Sequence, residues 1–197
     1  GHLNGPAPNV RKIGRCRMKF TKLALQGVWL IEPVVFSDQR GGFRRHFCTE
    51  EFAAHGLAPT VVQGNISENV QRGTLRGFHY QVGRYAESKT ISCMSGGIYD
   101  VVVDLRKNSP TFMQWVSVKI SADDRRSLYV PAGCANAWLT TVADTVLHYY
   151  MSEMFSPESA RGFRYNDPAF EVNWPTEPVV ISERDRTFPD FDLASLE

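Results

Sequence analysis

The chain has 197 residues, of which 43% are hydrophobic and 22% charged, and its formal net charge is +1. This length suits one domain with a substantial core, and the composition is typical of soluble globular proteins. The small net charge gives no reason to expect nucleic acid or an anionic membrane as a partner, and no apolar run approaches the ~20 residues of a membrane helix.

Residues 1–17 differ from the rest, because a stretch rich in Gly, Pro and Asn is followed by the basic residues Arg11, Lys12, Arg15 and Arg17. The segment lacks the apolar stretch of a secretory signal. We predict a flexible N-terminal arm or a non-native segment over 1–17, and a single domain over 18–197. The four cysteines are scattered without a C-x-x-C pair, which indicates a reducing, cytoplasmic location.

From residue 28 onward the chain is typical of short strands separated by turns. A β-rich run over 28–36 contains Pro33, which favours an edge or bulged strand. Residues 37–42 form a predicted turn, and Thr49 is expected to cap a short helix that ends near His55. Further strands are predicted over 61–67, 115–120, 127–130, 137–142 and 145–151. The whole series predicts an all-β sandwich or jelly roll with short peripheral helices.

Gly97 opens the clearest strand. Val101 and Val103 face one way in it, while Asp100 and Asp104 face the other. A polar face of this kind is typical of a sheet that lines a substrate cavity. A jelly roll of this size leaves room for a small ligand between its sheets.

The run over residues 76–81 places a histidine in a short strand. Alternation would put Arg76 and Phe78 on one face, and Gly77 and His79 on the other. A strand histidine taken alone is more often structural than catalytic. Arg76 is costly to bury without an anion, and a phosphate matches its guanidinium group bidentately. A base, a metal ligand and a core residue all remain open for His79.

The spacing of the histidines argues against a metal centre. A metal site in a β-barrel of the cupin kind often combines two histidines one residue apart with a carboxylate and a later histidine. Here Gln81 stands two residues after His79, and Asn136 stands at the later position. No two of the five histidines have ligand spacing. We therefore predict no metal and no cofactor.

Several short motifs occur in an order that is specific as a set, although each alone is weak. They are D-Q-R-G from Asp38, Q-G-N-I-S from Gln63, L-R-G-F-H-Y-Q from Leu75, Lys89, D-V-V-V-D-L-R from Asp100, Y-V-P-A-G from Tyr129, Tyr149, and S-E-R-D from Ser182. Over about residues 26–190 the chain resembles the dTDP-4-dehydrorhamnose 3,5-epimerases, which are cupin-fold sugar-nucleotide epimerases. The sugar 3,4-ketoisomerases share that fold and resemble the chain less.

The resemblance implies a cupin jelly roll and a set of residue roles. His79 would be the general base, oriented by Asp185, and Tyr149 would be the acid on the opposite face. Lys89 would stabilise the enolate oxygen. The sugar nucleotide would be bound by Arg40, Arg45, Gln63, Asn65, Arg76, Asn136, Arg161 and Arg184. The family also implies a homodimer in which an N-terminal strand crosses to the partner.

These roles suit the chemistry of a 4-keto sugar. The hydrogens at C3 and C5 are acidic because they lie α to the carbonyl, and inversion needs a base on one face and an acid on the other. Negative charge develops on O4, where one fixed electrostatic contact is worth on the order of 3 kcal/mol. We therefore predict an isomerase that inverts C3, C5 or both in a nucleotide-linked, most simply dTDP-linked, 4-keto-6-deoxy hexose of deoxysugar biosynthesis.

Four positions depart from the family pattern. Asn136 replaces a histidine near the keto oxygen, Arg45 and Arg161 replace acidic residues near the nucleotide, and Gly42 replaces an aromatic residue. Asparagine can donate a hydrogen bond but carries no charge, which leaves Lys89 as the main cation. The alternatives are a single-centre epimerase, a 3,4-ketoisomerase, an inactive sugar-nucleotide-binding homologue and a metal-dependent cupin.

Overall fold

The computed structural model describes residues 17–197. The arm predicted over 1–17 therefore lies outside the described residues, except for its last position. The strands are β1 (Lys19–Lys22), β2 (Trp29–Glu32), β3 (Val35–Asp38), β4 (Gly41–Arg44), β5 (Gln63–Asn69), β6 (Thr74–Gln81), β7 (Lys89–Ser95), β8 (Gly97–Asp104), β9 (Trp115–Ser121), β10 (Ser127–Val130), β11 (Cys134–Thr140), β12 (Thr145–Met151), β13 (Ala160–Gly162) and β14 (Val180–Ile181). The helices are α1 (Thr49–Ala54) and α2 (Glu183–Thr187), with 3-10 turns at Gly83–Tyr85 and Leu193–Leu196.

Two six-stranded sheets face each other and form a β-sandwich. The first has the order β1-β2-β10-β7-β12-β5, and the second has the order β13-β6-β11-β8-β9, with β14 added beside β6. Apolar side chains from both sheets fill the space between them, including Ile91 and Leu147 from the first sheet and Val102 and Ile120 from the second. The predicted all-β jelly-roll sandwich with short peripheral helices is confirmed. Within residues 17–197, no helix is long and apolar enough to cross a membrane.

The chain after Met151 covers the outer face of the second sheet. Phe78 of β6 stacks on Phe163 with ring centroids 4.7 Å apart, and Phe170 belongs to the same buried cluster. Aromatic groups of this size contribute much of the burial that drives folding. This layer brings α2, at its far end, against β6.

Three local predictions are refined by the structure. Residues 28–36 form the two strands β2 and β3, which separate at Pro33 because proline has no amide hydrogen for the ladder. The turn predicted over 37–42 is the tip of the β3–β4 hairpin. The helix expected after Thr49 is α1, but Cys48 holds the N-cap position and makes no side-chain capping hydrogen bond.

The polar face predicted for β8 does not line a cavity. Asp100 and Asp104 are both completely buried. The reason is that β8 lies between β11 and β9 and that its two faces pack into separate hydrophobic clusters. Asp104 accepts hydrogen bonds from Arg106, Ser109 and Thr111. Its carboxylate therefore closes the loop after β8 and does not face a substrate.

The alternation predicted over residues 76–81 is wrong at Arg76. β11 pairs its Asn136 with His79 but its Trp138 with Arg76, so the register shifts between these two pairs. As a result Arg76 reaches the opposite sheet, where its Nε donates to Asn69 Oδ1 at 2.8 Å. Arg76 and His79 consequently lie on the same, inner side of the second sheet.

Gly77 lies at this irregularity and has a φ of +114°. A Cβ atom there would be 2.6 Å from the backbone oxygen of Asn136 and 2.7 Å from the Ala137 side chain. Only glycine fits both the space and the backbone conformation. The close approach lets β6 and β11 stay paired beneath His79.

Candidate active site

A cavity of about 330 Å³ lies between the two sheets. His79 enters it from β6 of the second sheet, while Lys89 of β7 and Tyr149 of β12 enter from the first. The cavity is lined by seven of the predicted site residues, Gln63, Asn65, His79, Lys89, Tyr149, Arg161 and Arg184. An adjoining cavity of about 350 Å³ shares His79 and Arg184 and is also lined by Arg76 and Asp185.

His79 and Asp185 are hydrogen-bonded although they are 106 positions apart, with Nε2 of the imidazole 2.7 Å from Oδ1 of the carboxylate. The Asp185 side chain is only 5% exposed. Its Oδ2 accepts the Gly77 amide at 3.0 Å, and its own amide donates to Ser182 Oγ, which caps α2. These contacts fix both the carboxylate and the plane of the ring.

The environment of Asp185 assigns the imidazole tautomer. Burial raises the pKa of Asp185, but the hydrogen bond and charge of His79, with the Gly77 amide, more than offset it and lower the pKa overall. An ionised carboxylate only accepts hydrogen bonds, so Nε2 of His79 carries the proton. In the neutral imidazole, Nδ1 therefore keeps the free lone pair that a base needs.

Lys89 stands among carboxyl groups. Its Nζ lies 3.1 Å from Glu87 Oε1, and the two side chains are only 12% and 4% exposed. A second carboxyl group, that of Asp100, is completely buried, and this burial raises its pKa well above the ordinary value. A hydrogen bond from Asn136 and the charge of Lys89 offset this effect only in part. The wall of the cavity thus holds a nearly buried cation suited to an oxyanion.

Asn136 lies beneath the cavity wall. It is 3% exposed, it pairs with His79 in the β6–β11 ladder, and its Nδ2 donates to Asp100 Oδ2 at 3.2 Å. It lines neither cavity. The side-chain amide of Asn136 therefore donates to the buried carboxyl group of Asp100, beneath His79, and not to a molecule in the cavity.

Tyr149 lies on the sheet that faces His79. Burial raises the pKa of its hydroxyl, Arg76 lowers it and the Glu87 charge raises it again, so that the net pKa is above the ordinary value. Its ring lies 6.0 Å from the Trp138 ring. The hydroxyl keeps its proton at neutral pH and is suited to act as an acid.

The structure does not bring Arg40 and Arg45 to either cavity. Arg40 lies at the exposed tip of the β3–β4 hairpin, where its Nε donates to Asp38 Oδ1 at 3.0 Å. Arg45 follows the end of β4. The hairpin therefore presents Arg40 to the outside of this chain.

Six residues that line this cavity were not among the predicted site residues: Tyr80, Gln81, Glu87, Met151, Phe155 and Ala160. Gln81 ties down the loop after β12, because its Nε2 donates to Met154 O and its Oε1 accepts the Ser156 amide. Glu87 had a signal in the sequence, since it precedes Lys89 by two residues and side chains with that spacing share a strand face. Phe155 had none, as it sits in an irregular loop.

Among residues 17–197, no three His, Cys, Asp or Glu side chains are grouped so as to hold a metal ion. The predicted absence of a metal and of a cofactor stays a prediction. In the described part of the chain, His79 and Asp185 form a pair with no third His, Cys, Asp or Glu side chain placed to share a metal ion with them.

Comparison with known proteins decides the family. A family model described as dTDP-4-dehydrorhamnose 3,5-epimerase matches residues 22–192. The chain belongs to this epimerase family. The predicted family, its isomerase class and its cupin-like β-sandwich are confirmed.

Individual members of the dTDP-4-dehydrorhamnose 3,5-epimerase family agree over most of the chain. One from Sinorhizobium fredii is 39% identical over 173 residues, which cover 87% of this chain and 89% of the relative. The crystal structure of one from Bacillus anthracis, with TDP and PPi bound, has a TM-score of 0.85 and 38% identity, covering 89% of this chain and 100% of that one. A 3'-monoepimerase from Streptomyces bikiniensis, in complex with dTDP-quinovose, has a TM-score of 0.79 and 34% identity, covering 88% and 87%.

Proposed function

We propose that this chain inverts C3, C5 or both in a dTDP-linked 4-keto-6-deoxy hexose, with His79 as base and Tyr149 as acid. One observation carries the proposal: these two side chains enter the same cavity from opposite sheets, beside Lys89. Inversion at carbon requires a proton acceptor and a proton donor on opposite faces of the sugar. Family membership supports the same chemistry.

The reaction begins when Nδ1 of His79 removes a proton from the carbon next to the C4 carbonyl. The electron pair of that C–H bond moves into a C=C bond, and the carbonyl π electrons move onto O4. Asp185 stabilises the imidazolium that forms, and Lys89 stabilises the oxyanion. When the enolate collapses, the carbon takes a proton from the Tyr149 hydroxyl on the other face. Exchange with solvent then restores both side chains.

The nucleotide is proposed to be dTDP. Two related structures carry TDP or a dTDP-sugar, as described above. The cavity offers matching donors in Arg161, Arg184, Gln63 and Asn65, and Arg76 stands in the adjoining cavity. Guanidinium groups bind phosphate oxygens with charge-assisted hydrogen bonds.

A single-centre epimerase is the second candidate. It is favoured by Asn136, which stands where the family pattern has a histidine near the keto oxygen. Here its amide donates to the buried Asp100 beneath His79, so it adds no charge to the site. A 3'-monoepimerase is among the related structures. The two candidates differ only in which carbons exchange their hydrogen.

Solvent deuterium incorporation tests both candidates. The enzyme is incubated in D₂O with dTDP-4-keto-6-deoxyglucose, and the recovered sugar is examined by proton NMR. Loss of both the C3 and C5 signals supports a 3,5-epimerase, and loss of one signal identifies a single-centre enzyme. No exchange with any of the dTDP-, CDP- and GDP-linked 4-keto sugars contradicts the enzymatic proposal and leaves a binding protein.

We also propose a cytoplasmic homodimer, built from a single domain over 18–197, in which an N-terminal strand crosses to the partner. The outward position of Arg40 on the β3–β4 hairpin supports a role in a second copy's nucleotide site. Arg40→Ala and His79→Ala are each expected to abolish activity alone. Mixed after subunit exchange, they regain activity at one of the two sites in each mixed dimer. Absence of recovery contradicts the sharing of Arg40.

A further inference from the structure

Glu87 has a carboxylate oxygen without a partner in the part of the chain that the structure describes. Its side chain is 4% exposed, and Oε1 makes the ion pair with Lys89 at 3.1 Å. Oε2 is buried and accepts no hydrogen bond from residues 17–197. A buried acceptor left unpaired is destabilising, and more so when it is charged. This arrangement is typical of a group that pairs with a ligand.

The position of Glu87 restricts what that ligand group can be. Glu87 lines the 330 Å³ cavity together with His79, Lys89 and Tyr149. Rotation about the terminal bond of a glutamate is soft, so either carboxylate oxygen can turn toward the cavity. A carboxylate accepts and cannot donate. Its partner in the bound molecule must therefore be a donor, which means a hydroxyl or an N–H group.

We propose that Glu87 is a specificity-determining residue that accepts a hydrogen bond from the 3-hydroxyl of the hexose. The inference rests on the proposed function, because that function sets O4 of the sugar beside Lys89. In a 4-keto-6-deoxy hexose, C5 carries a methyl group, so the 3-hydroxyl is the only donor on a carbon next to C4. Glu87 is paired with Lys89, the cation beside O4, so the 3-hydroxyl is the donor of the sugar that lies nearest to its carboxylate.

The pairing gives Glu87 a role in the choice of stereocentre. Inversion at C3 moves the 3-hydroxyl from one face of the ring to the other, whereas inversion at C5 leaves it in place. Glu87 therefore contacts a group whose direction reports the configuration at C3. It binds one C3 configuration better than the other, and Lys89 binds O4 in both.

The test uses ligands that cannot react. dTDP-6-deoxyglucose and its 3-deoxy analogue both lack the C4 carbonyl, and their dissociation constants are measured by calorimetry with the wild type and Glu87→Gln. We expect the wild type to bind the 3-hydroxyl compound about 10- to 100-fold more tightly, the range for a hydrogen bond to a charged group. In Glu87→Gln the ratio should fall below about tenfold, as expected for a neutral acceptor, and in Glu87→Ala it should approach one.

dTDP itself, which has no 3-hydroxyl, serves as the control ligand, and its affinity should change little among the three proteins. A 2-deoxy analogue keeps the 3-hydroxyl, so its affinity should fall in the two variants by the same factor as that of dTDP-6-deoxyglucose. If the affinities of the 3-hydroxyl and 3-deoxy compounds fall by the same factor in Glu87→Gln, Glu87 only holds Lys89 in place, and the proposal is overturned. It is also overturned if neither affinity changes. If the ratio collapses as expected but the wild type shows no deuterium exchange, Glu87 recognises the hydroxyl and the proposed reaction is refuted.

Discussion

Replacing Asp185 with asparagine tests the base assignment most directly, because it changes one atom and almost no volume. In the wild type, Asp185 accepts two hydrogen bonds, from His79 Nε2 at 2.7 Å and from the Gly77 amide at 3.0 Å. An asparagine has one acceptor oxygen and one donor amide. It can satisfy only one of the two donors, and its amide hydrogen faces the other.

The expected loss follows from the missing charge. A hydrogen bond to a charged group contributes about 1.5–3 kcal/mol. If that energy stabilises the imidazolium in the transition state, kcat falls roughly 10- to 150-fold. A switch of the His79 proton to Nδ1, favoured when asparagine donates to Nε2, removes the base lone pair and deepens the loss. The free energy of unfolding should fall by about 1–3 kcal/mol, because one buried donor loses its partner.

The assay is the rate of deuterium incorporation into the 4-keto sugar, measured with kcat and KM over a range of pH. KM should change little, since Asp185 acts on the imidazole and not on the nucleotide. Glu183→Gln, on the exposed side of the same helix α2, is the matched control and should retain wild-type kcat. A folded Asp185→Asn enzyme with kcat within twofold of the wild type refutes the His79–Asp185 assignment.

Three further predictions concern other parts of the fold. Tyr149→Phe should lower the rate of product formation about 10²- to 10⁴-fold, while His79 still exchanges the substrate hydrogen with solvent without inverting the carbon. Mass spectrometry of the recovered substrate and product measures deuterium in each and so distinguishes exchange from inversion. An undiminished rate of product formation contradicts the acid role. Gly77→Ala should lower the free energy of unfolding in urea by about 2–4 kcal/mol, because the new Cβ clashes with β11 and the φ of +114° is strained. Gly56→Ala is the control, since Gly56 has a φ of +71° but no atom near the position of the new Cβ, and it should cost only about 1 kcal/mol. Equal losses of stability in the two variants refute the steric argument. Burial, with the charges of His148 and Arg44, lowers the pKa of His46 from 6.5 to about 4. The unfolded chain therefore binds this proton more readily than the folded chain, and the free energy of unfolding should fall by up to about 3 kcal/mol between pH 6.5 and 4. In His46→Gln, the free energy of unfolding should depend less on pH over this range.

Much of the sandwich could be predicted from local patterns. The strand predicted over 145–151 coincides with β12, and Gly97 opens β8 as expected. These strands alternate clearly and are bounded by turn residues, which are local signals. The side that Arg76 faces could not be predicted, because it depends on a register shift between β6 and β11, whose paired residues His79 and Asn136, and Arg76 and Trp138, are far apart in the chain.

The site was predictable where the family resemblance named residues, and less so where burial decides. His79, Lys89 and Tyr149 line one cavity, as the resemblance implies. Asp100 was expected to face a substrate, yet it is enclosed, because alternation distinguishes two faces and cannot tell which of them is covered. Glu87 was missed although its spacing from Lys89 was a signal in the sequence, because the oxygen that has no partner within residues 17–197 is visible only in the three-dimensional contacts.

The late position of Asp185 has a consequence for how the enzyme matures. All strands of both sheets except β14 end at or before Gly162, so the sandwich and the Lys89–Tyr149 wall can assemble while the ribosome still holds the C-terminal residues. His79 pairs with the Asp185 carboxylate only after α2, a helix of five residues, has been synthesised and has packed against β6. α2 also carries Arg184 of the proposed nucleotide site, so proton-transfer ability is acquired last, together with part of the nucleotide-binding surface. A nick or truncation ahead of Ser182 would leave a sandwich without the Asp185 carboxylate, which would bind substrate more weakly and would not turn it over.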